Sequence, residues 1–246
     1  MRSYGEYCAL ARTLDVVGDR WTLLIIRELA IRACRYTDLR DGLPGIATNL
    51  LADRLRELQA AGVVTAEEAP PPVATTLYSL TDWGAELRPI LLALGRWGAP
   101  RLMADGQGED HFRSRWAGMG MEAAYTDVDL AGLEPFTVLI DAGGDPVLVT
   151  ATSEGFTTHT ARATATADVV LATDPDTTVG LLTGRLRPEG LDPDQRARLG
   201  GSDDGLRRLA ALTTRARRAR DRPQPRLADP PRSGQLKRPP VRVVTR

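Results

Sequence analysis

Apolar residues in the first 60 positions recur every three or four residues, which is the spacing of one helix face. The run from Cys8 to Ala30 predicts two helices separated at Gly18. From Arg35 to Leu58 a short amphipathic run is interrupted and a longer one begins at Ile46; the interrupting residues are Gly42, Pro44 and Gly45. This pattern predicts a helix, a turn and a second helix.

The second of these helices has two distinct faces. Leu51, Leu55 and Leu58 fall on one stripe. The opposite side carries Asn49, Ala52, Asp53 and Arg56. We therefore expect one face to pack and the other to remain free to read a ligand.

The next segment predicts a wing. Gly62 suits the left-handed cap of the preceding helix, and Val63–Thr65 and Thr75–Leu80 are typical of paired strands. Thr81 is predicted to cap a helix from Asp82 to Trp97. Its apolar residues leave a wide face, of the kind that often pairs with a second subunit.

The second half of the chain predicts an α+β domain. After a linker at 104–108 and a helix at 109–125, four strands are predicted at Phe136–Asp141, Pro146–Thr152, Phe156–Arg162 and Asp168–Ala172, the first three as an antiparallel meander. Helices opened by Asp174, Asp192 and Ser202 follow, which favours a sheet covered by helices. The predicted divisions are domain 1–103, linker 104–108, domain 109–219 and a disordered Pro- and Arg-rich tail at 220–246.

Composition narrows the function classes. The net charge is zero, which is unusual for a nucleic-acid binder, although the local distribution of charge matters more. Two cysteines and two distant histidines predict neither a disulfide scaffold nor a metal site. No apolar run is long enough to span a membrane and the N-terminus lacks a signal peptide, so we expect a cytoplasmic protein. No catalytic or cofactor motif is present, so we predict a non-enzyme without a cofactor.

Four ordered motifs resemble the HxlR family of bacterial winged-helix regulators across about residues 8 to 100. They are Thr13-Leu-Asp-Val-Val-Gly-Asp-Arg-Trp21, Leu43-Pro-Gly-Ile46, Leu51-Ala-Asp-Arg-Leu-Arg-Glu-Leu58 and Tyr78-Ser-Leu-Thr-Asp-Trp-Gly84. The resemblance implies a homodimer that binds double-stranded DNA. Its recognition helices would enter successive major grooves about 34 Å apart, at an inverted-repeat operator.

The resemblance makes the free face of the second helix a candidate DNA interface. Candidate base contacts are Thr48, Asn49, Asp53 and Arg56, since such side chains can pair with base edges. Arg40 and Arg54 are expected either to contact phosphate or to form structural ion pairs. The alternative is an exposed face with no partner. Ala47, Thr48 and Asn49 are smaller and less basic than the family usually has at the start of this helix. Glu67 and Glu68 make the wing acidic, so modest affinity is expected.

The second domain resembles the sterol-carrier-protein fold over about residues 109 to 215. The resemblance rests on its element order and on Ala167-Asp-Val-Val-Leu-Ala-Thr-Asp174 and Leu181-Leu-Thr-Gly-Arg-Leu186. It implies an apolar tunnel between sheet and helices that holds an apolar small-molecule effector. Candidate lining residues are Phe136, Val138, Ile140, Leu148, Phe156, Val169, Leu171 and Leu182. The alternative makes them ordinary core of a structural or dimerising domain.

Together these patterns predict a homodimeric DNA-binding regulator, a repressor, with an effector-binding C-terminal domain. Two alternatives stay open. In the first, which the family resemblance implies, Cys8 senses oxidants or electrophiles and the second domain is passive. The other interpretation of Cys8 is a small buried apolar residue that packs against the dimer interface. In the second, the chain is a lipid or metabolite carrier that has lost DNA binding, which the acidic wing and zero net charge would fit.

Overall fold

The computed structural model describes residues 3–69 and 75–220, so the predicted tail lies outside the described residues except for Arg220, which ends the last helix. The chain divides into two compact units, Met1–Leu94 and Gly95–Arg246. The sequence instead placed a linker at 104–108, and those predicted divisions stay predictions. In the described residues, no helix is both long enough and apolar enough to cross a membrane.

The N-terminal unit is a winged helix-turn-helix, as predicted. Its elements are α1 (Ala9–Val17), α2 (Thr22–Ile31), β1 (Cys34–Arg35), α3 (Tyr36–Gly42), α4 (Thr48–Ala60), β2 (Val64–Glu68), β3 (Thr76–Leu80), α5 (Asp82–Ala85) and the start of α6 (Leu87–Asp105). The strands form an antiparallel sheet in the order β1-β3-β2. The predicted packing stripe of α4 lies in the core, where Leu51, Leu55 and Leu58 are buried.

Two predicted caps hold the junctions around α4 and α5. Gly62 has φ +72° and follows the end of α4, where its N–H donates to the Gln59 carbonyl and the Val63 N–H donates to the Leu58 carbonyl. These two bonds form the Schellman motif. At the start of α5, the Thr81 hydroxyl accepts the Gly84 N–H at 3.0 Å. The Thr81 N–H also donates to the Val63 carbonyl at 3.1 Å, so α4, the wing and α5 are joined by hydrogen bonds at this point.

The structure corrects several predicted boundaries in this unit. Helix α4 begins at Thr48 rather than Ile46, because Gly45 has φ +87° and the turn continues through the buried Ile46. The helix predicted from Asp82 to Trp97 is two helices, interrupted at Glu86, and the second extends to Asp105. Cys34, which precedes the predicted helix-turn-helix, is buried in the short strand β1.

The C-terminal unit has the predicted α+β composition. Its elements after α6 are α7 (Ser114–Tyr125), β4 (Phe136–Ile140), β5 (Val147–Thr152), β6 (Gly155–Thr160), β7 (Val169–Leu171), α8 (Pro175–Leu182), α9 (Pro193–Ala197), β8 (Leu199–Gly201) and α10 (Asp203–Arg220). The strand order is β6-β5-β4-β7-β8, and β4 and β7 are parallel. The antiparallel meander of β4, β5 and β6 was predicted, whereas β8 was not.

The core of this unit lies on one face of the five-stranded sheet. Val138 is paired with Val149 and Val169, so these three side chains share that face. They pack in one cluster with residues from three helices: Ala117, Met121 and Tyr125 of α7, Leu181 and Leu182 of α8, and Leu209, Leu212 and Ala216 of α10. Helix α7 begins at Ser114, five residues later than the predicted start.

Candidate nucleic-acid interface

The helix-turn-helix presents the N-terminal half of α4 to solvent. Thr48 and Asn49 are exposed at the start of the helix, and Asp53 and Arg56 follow on the same side. The Tyr36 hydroxyl at the start of α3 donates to the Thr48 carbonyl at 2.6 Å. This bond fixes the starts of the two helices relative to each other, so the exposed face is held on a rigid support.

The amide of Asn49 is partly committed to the backbone. Its Oδ1 accepts the Leu50 N–H at 3.0 Å, and Ala47, which precedes the helix, provides no side-chain cap. Among the described residues, the Asn49 Nδ2 has no hydrogen-bond partner, so the donor half of the amide remains available to a base-edge or phosphate oxygen.

The two arginines of α4 have different environments. The Arg54 side chain is 20% exposed and forms ion pairs with both Asp19 and Glu57. The Arg56 side chain is 75% exposed and pairs with Asp53 one turn earlier. An exposed pair contributes about 0–1 kcal/mol, so Arg56 can exchange its partner at little cost, whereas Arg54 is held between two elements of the fold.

Arg40 lies on α3 and is exposed, 3.5 Å from the carboxylate of Asp41. Over residues 36–60 three arginines stand against four carboxylates. In the wing, the Glu68 carboxylate accepts the Thr76 hydroxyl at 2.7 Å. The local charge is therefore not basic, and little non-specific phosphate affinity is expected from this surface.

The sequence placed Thr48, Asn49, Asp53 and Arg56 on one surface, and the structure has them there. It did not identify Asp19 as the partner of Arg54, because the two are 35 residues apart. It also did not predict the hydrogen bond from the Tyr36 hydroxyl to the Thr48 carbonyl. The pair of Arg54 with Glu57 was readable from its i,i+3 spacing.

The candidate effector residues of the C-terminal unit are mostly in one place. Six are fully buried in the core cluster and Phe156 packs against it; the six are Phe136, Val138, Ile140, Val169, Leu171 and Leu182. Leu148 points to the other sheet face, because in β5 the alternate residues Val147, Val149 and Ala151 face the core. Grouping Leu148 with the others was wrong.

Cys8 is exposed in the single chain, immediately before α1, so its predicted burial against a second subunit stays a prediction. Cys34 is buried, and its thiol donates to the Arg32 carbonyl at 3.4 Å. In the described part of the chain, no group of three or more His, Cys, Asp and Glu side chains is arranged to hold a metal ion.

A profile of the HxlR-like helix-turn-helix family matches residues 16–105. The HTH-type transcriptional regulator sll1512 of Synechocystis sp. is 34% identical over 98 residues, which are 40% of this chain and 73% of that protein. The chain belongs to the HxlR-like helix-turn-helix family. The HTH-type regulator YvaP of Bacillus subtilis is 34% identical over 86 residues, 35% of this chain and 80% of that protein.

Solved structures are similar to part of this HxlR-like chain. The reduced form of the transcriptional regulator YodB from B. subtilis is 26% identical, with a TM-score of 0.35, and covers 38% of this chain and 92% of its own. The redox regulator HypR in its reduced form is 33% identical, with a TM-score of 0.36, and covers 37% of this chain and 91% of its own. The family assignment rests on the sequence matches. It makes the chain a transcriptional regulator of the helix-turn-helix type, with DNA as its partner.

Proposed function

We propose that this regulator is a homodimeric repressor in the cytoplasm that reads an inverted-repeat operator through α4. The observation that carries the proposal is the exposed, rigidly supported face with Thr48, Asn49 and Arg56. In this proposal Arg56 exchanges Asp53 for a guanine edge and the Asn49 amide reads a neighbouring base. Arg54 has a structural role, because its ion pairs with Asp19 and Glu57 hold α4 in place. Arg40 contacts phosphate.

The homodimer is supported by apolar side chains exposed in the N-terminal unit. Leu10 and Leu14 on α1 are exposed, as are Ile90 and Leu94 on α6. Large apolar residues grouped on the surface of a small domain mark a contact with another molecule. A second copy would cover them and place two α4 helices on successive major grooves, about 34 Å apart.

The C-terminal unit is proposed to be a sterol-carrier-like domain that binds an apolar effector and has no catalytic role. Its sheet and helices enclose a large apolar core. Within the described residues, the buried hydroxyls of Thr158 and Thr178 have no hydrogen-bond partner. An unsatisfied buried polar atom is costly, so a ligand group bonded to either hydroxyl would gain affinity.

The test is fluorescence anisotropy of the full chain with the DNA upstream of its own gene, at two salt concentrations. An unrelated duplex and the Arg56→Ala variant are the controls. We expect sub-micromolar binding that prefers the upstream DNA, weakens with salt and is weaker in the variant. Equal, feeble binding to both duplexes, unchanged by the substitution, would contradict the proposal and favour the carrier alternative.

The exposed Cys8 supports a second candidate, a thiol switch that releases DNA on oxidation. Only a thiol that reagents can reach can act in this way. The test is operator binding before and after treatment with a quinone, in the parent chain and in Cys8→Ser. Release of DNA by both proteins would eliminate this candidate.

A further inference from the structure

A groove of about 600 Å³ lies entirely within the N-terminal unit, between α1, the residue before β2, α5 and the first turn of α6. Its apolar lining residues are Val16, Val17, Val63, Trp83, Leu87 and Ile90. This volume is within the range of small-molecule sites, which are mostly apolar with a few polar groups. The groove is separate from the exposed face of α4.

The charged residues of the groove do not balance. Arg12 and Asp15 both line it, 3.5 Å apart, and Asp15 also accepts the Tyr4 N–H at 2.8 Å and the Ser3 hydroxyl at 2.9 Å. These two charges are therefore satisfied by each other and by the N-terminal segment. Glu86 also lines the groove and is exposed; across the residues that the structure describes, its carboxylate has no ion-pair partner. One negative charge is left uncompensated beside an apolar surface.

Trp83 provides the second feature that selects a ligand. It lines the same groove, three residues before Glu86, and the residue is 55% exposed. The face of an indole ring attracts cations, more strongly than the rings of Tyr or Phe. An apolar floor, an accessible indole and an unpaired carboxylate together match a ligand that is both apolar and positively charged.

We propose that this groove is a binding site for a lipophilic organic cation. The apolar part of the ligand packs on Val16, Val63 and Leu87, and its charge lies between Trp83 and Glu86. This site differs from the effector site proposed for the C-terminal unit in its location and in the charge of its ligand.

The groove also contacts the junction that ends the recognition helix. The Val63 N–H donates to the Leu58 carbonyl of α4 at 2.9 Å, and the Val63 carbonyl accepts the Thr81 N–H at 3.1 Å. A cation packed on Val63 would alter operator affinity if the groove differs between the DNA-competent and DNA-incompetent conformations. This last consequence rests on the proposed function, whereas binding of the cation does not.

The experiment uses two ions of nearly the same shape and opposite charge, tetraphenylphosphonium and tetraphenylborate. Their binding to the full chain without DNA is measured by isothermal titration calorimetry. We expect the phosphonium ion to bind more tightly than the borate. Glu86→Gln should weaken phosphonium binding about 5-fold, and Trp83→Leu about 5- to 10-fold. Glu6→Gln removes the same charge from an exposed residue that does not line the groove, and it should change nothing.

Equal affinity for the two ions, or phosphonium binding that Glu86→Gln does not weaken, would overturn the proposal. Sedimentation of the same proteins tests a second copy as the occupant. If Trp83→Leu turns a dimer into a monomer and neither ion binds the parent chain, the groove is an interface and the proposal is wrong. Anisotropy with the operator DNA separates this proposal from the proposed function. If phosphonium binding depends on Glu86 but the chain does not bind the operator, the proposed function is wrong and the cation site remains.

Discussion

The two halves of the molecule differ in how far their large apolar side chains are exposed. In the described residues, every exposed large apolar residue lies at or before Leu102. In the N-terminal unit these include Leu10, Trp83, Ile90 and Leu94, and on α6 beyond that unit they are Trp97 and Leu102. From 103 to 218 the large apolar side chains are buried or half-buried, many of them in the single cluster on one sheet face.

This difference indicates how each half is completed. A compact unit that buries its own apolar surface needs no other molecule for stability. A unit that exposes several large apolar residues together gains free energy when another molecule covers them. The family fold of the first half, a helix-turn-helix, therefore comes with surfaces for binding, while the second half is built around an enclosed core.

The largest effect is expected from the enclosed core. Phe136 is 2% exposed at the centre of the cluster, so Phe136→Ala should lower the free energy of unfolding by about 3–5 kcal/mol. Tyr7→Ala removes a fully exposed ring and should change it by less than about 0.5 kcal/mol. Urea denaturation followed by circular dichroism measures both. Similar losses in the two variants would break the comparison between the halves.

A smaller loss is expected at the junction of wing and helix in the N-terminal unit. A Cβ at Gly84 would lie 2.1 Å from the Val63 carbonyl oxygen, and this backbone cannot move without breaking the cap. Gly84→Ala should therefore destabilise the unit by about 1–3 kcal/mol. Gly98→Ala is the matched control in α6, since nothing lies within 4 Å of its Cβ position. The free energy of unfolding of that control, measured by thermal or urea denaturation, should rise by about 0.5–1 kcal/mol.

The two arginines of α4 sharpen the difference between scaffold and contact surface. If the proposed function is correct, Arg56→Ala should weaken operator binding by about 1–3 kcal/mol without changing stability, because its side chain is exposed. Arg54→Ala should instead lower the melting temperature, because it leaves Asp19 and Glu57 without their shared cation. Anisotropy measures operator binding and thermal unfolding measures stability, and both are applied to both variants. If Arg56→Ala lowers the melting temperature and Arg54→Ala weakens only operator binding, this division is wrong.

The smallest effect concerns pH and the C-terminal unit. Hydrogen bonds from the Thr137 N–H at 2.8 Å and the Thr137 hydroxyl at 2.9 Å lower the pKa of Asp168 below its ordinary value of 3.8. Because the folded pKa is depressed, this stabilisation is present above the ordinary value and is lost as pH falls through the folded pKa. Asp168→Asn should therefore destabilise the protein more at pH 7 than at pH 3. Urea denaturation measures the difference in the free energy of unfolding between the parent chain and this variant. An equal difference at both pH values would contradict the prediction.

Much of the fold was readable from local patterns. The spacing of Leu51, Leu55 and Leu58 predicted the buried face of α4, and Gly62 predicted its cap. The alternation in β5 was also readable, and applying it would have excluded Leu148 from the core residues. The strands β1 and β8 were missed because two or three residues are too short to show a period.

What the sequence determined by itself is most of the longer elements, the packing face of α4 and the family, because these depend on residues a few positions apart. Only the tertiary structure decided that β7 pairs in parallel with β4, that Arg54 is held by Asp19, and that Trp83 and Glu86 share a groove with Val16. These contacts join residues that are distant in the chain. They arise only when burial of the apolar faces brings the elements together.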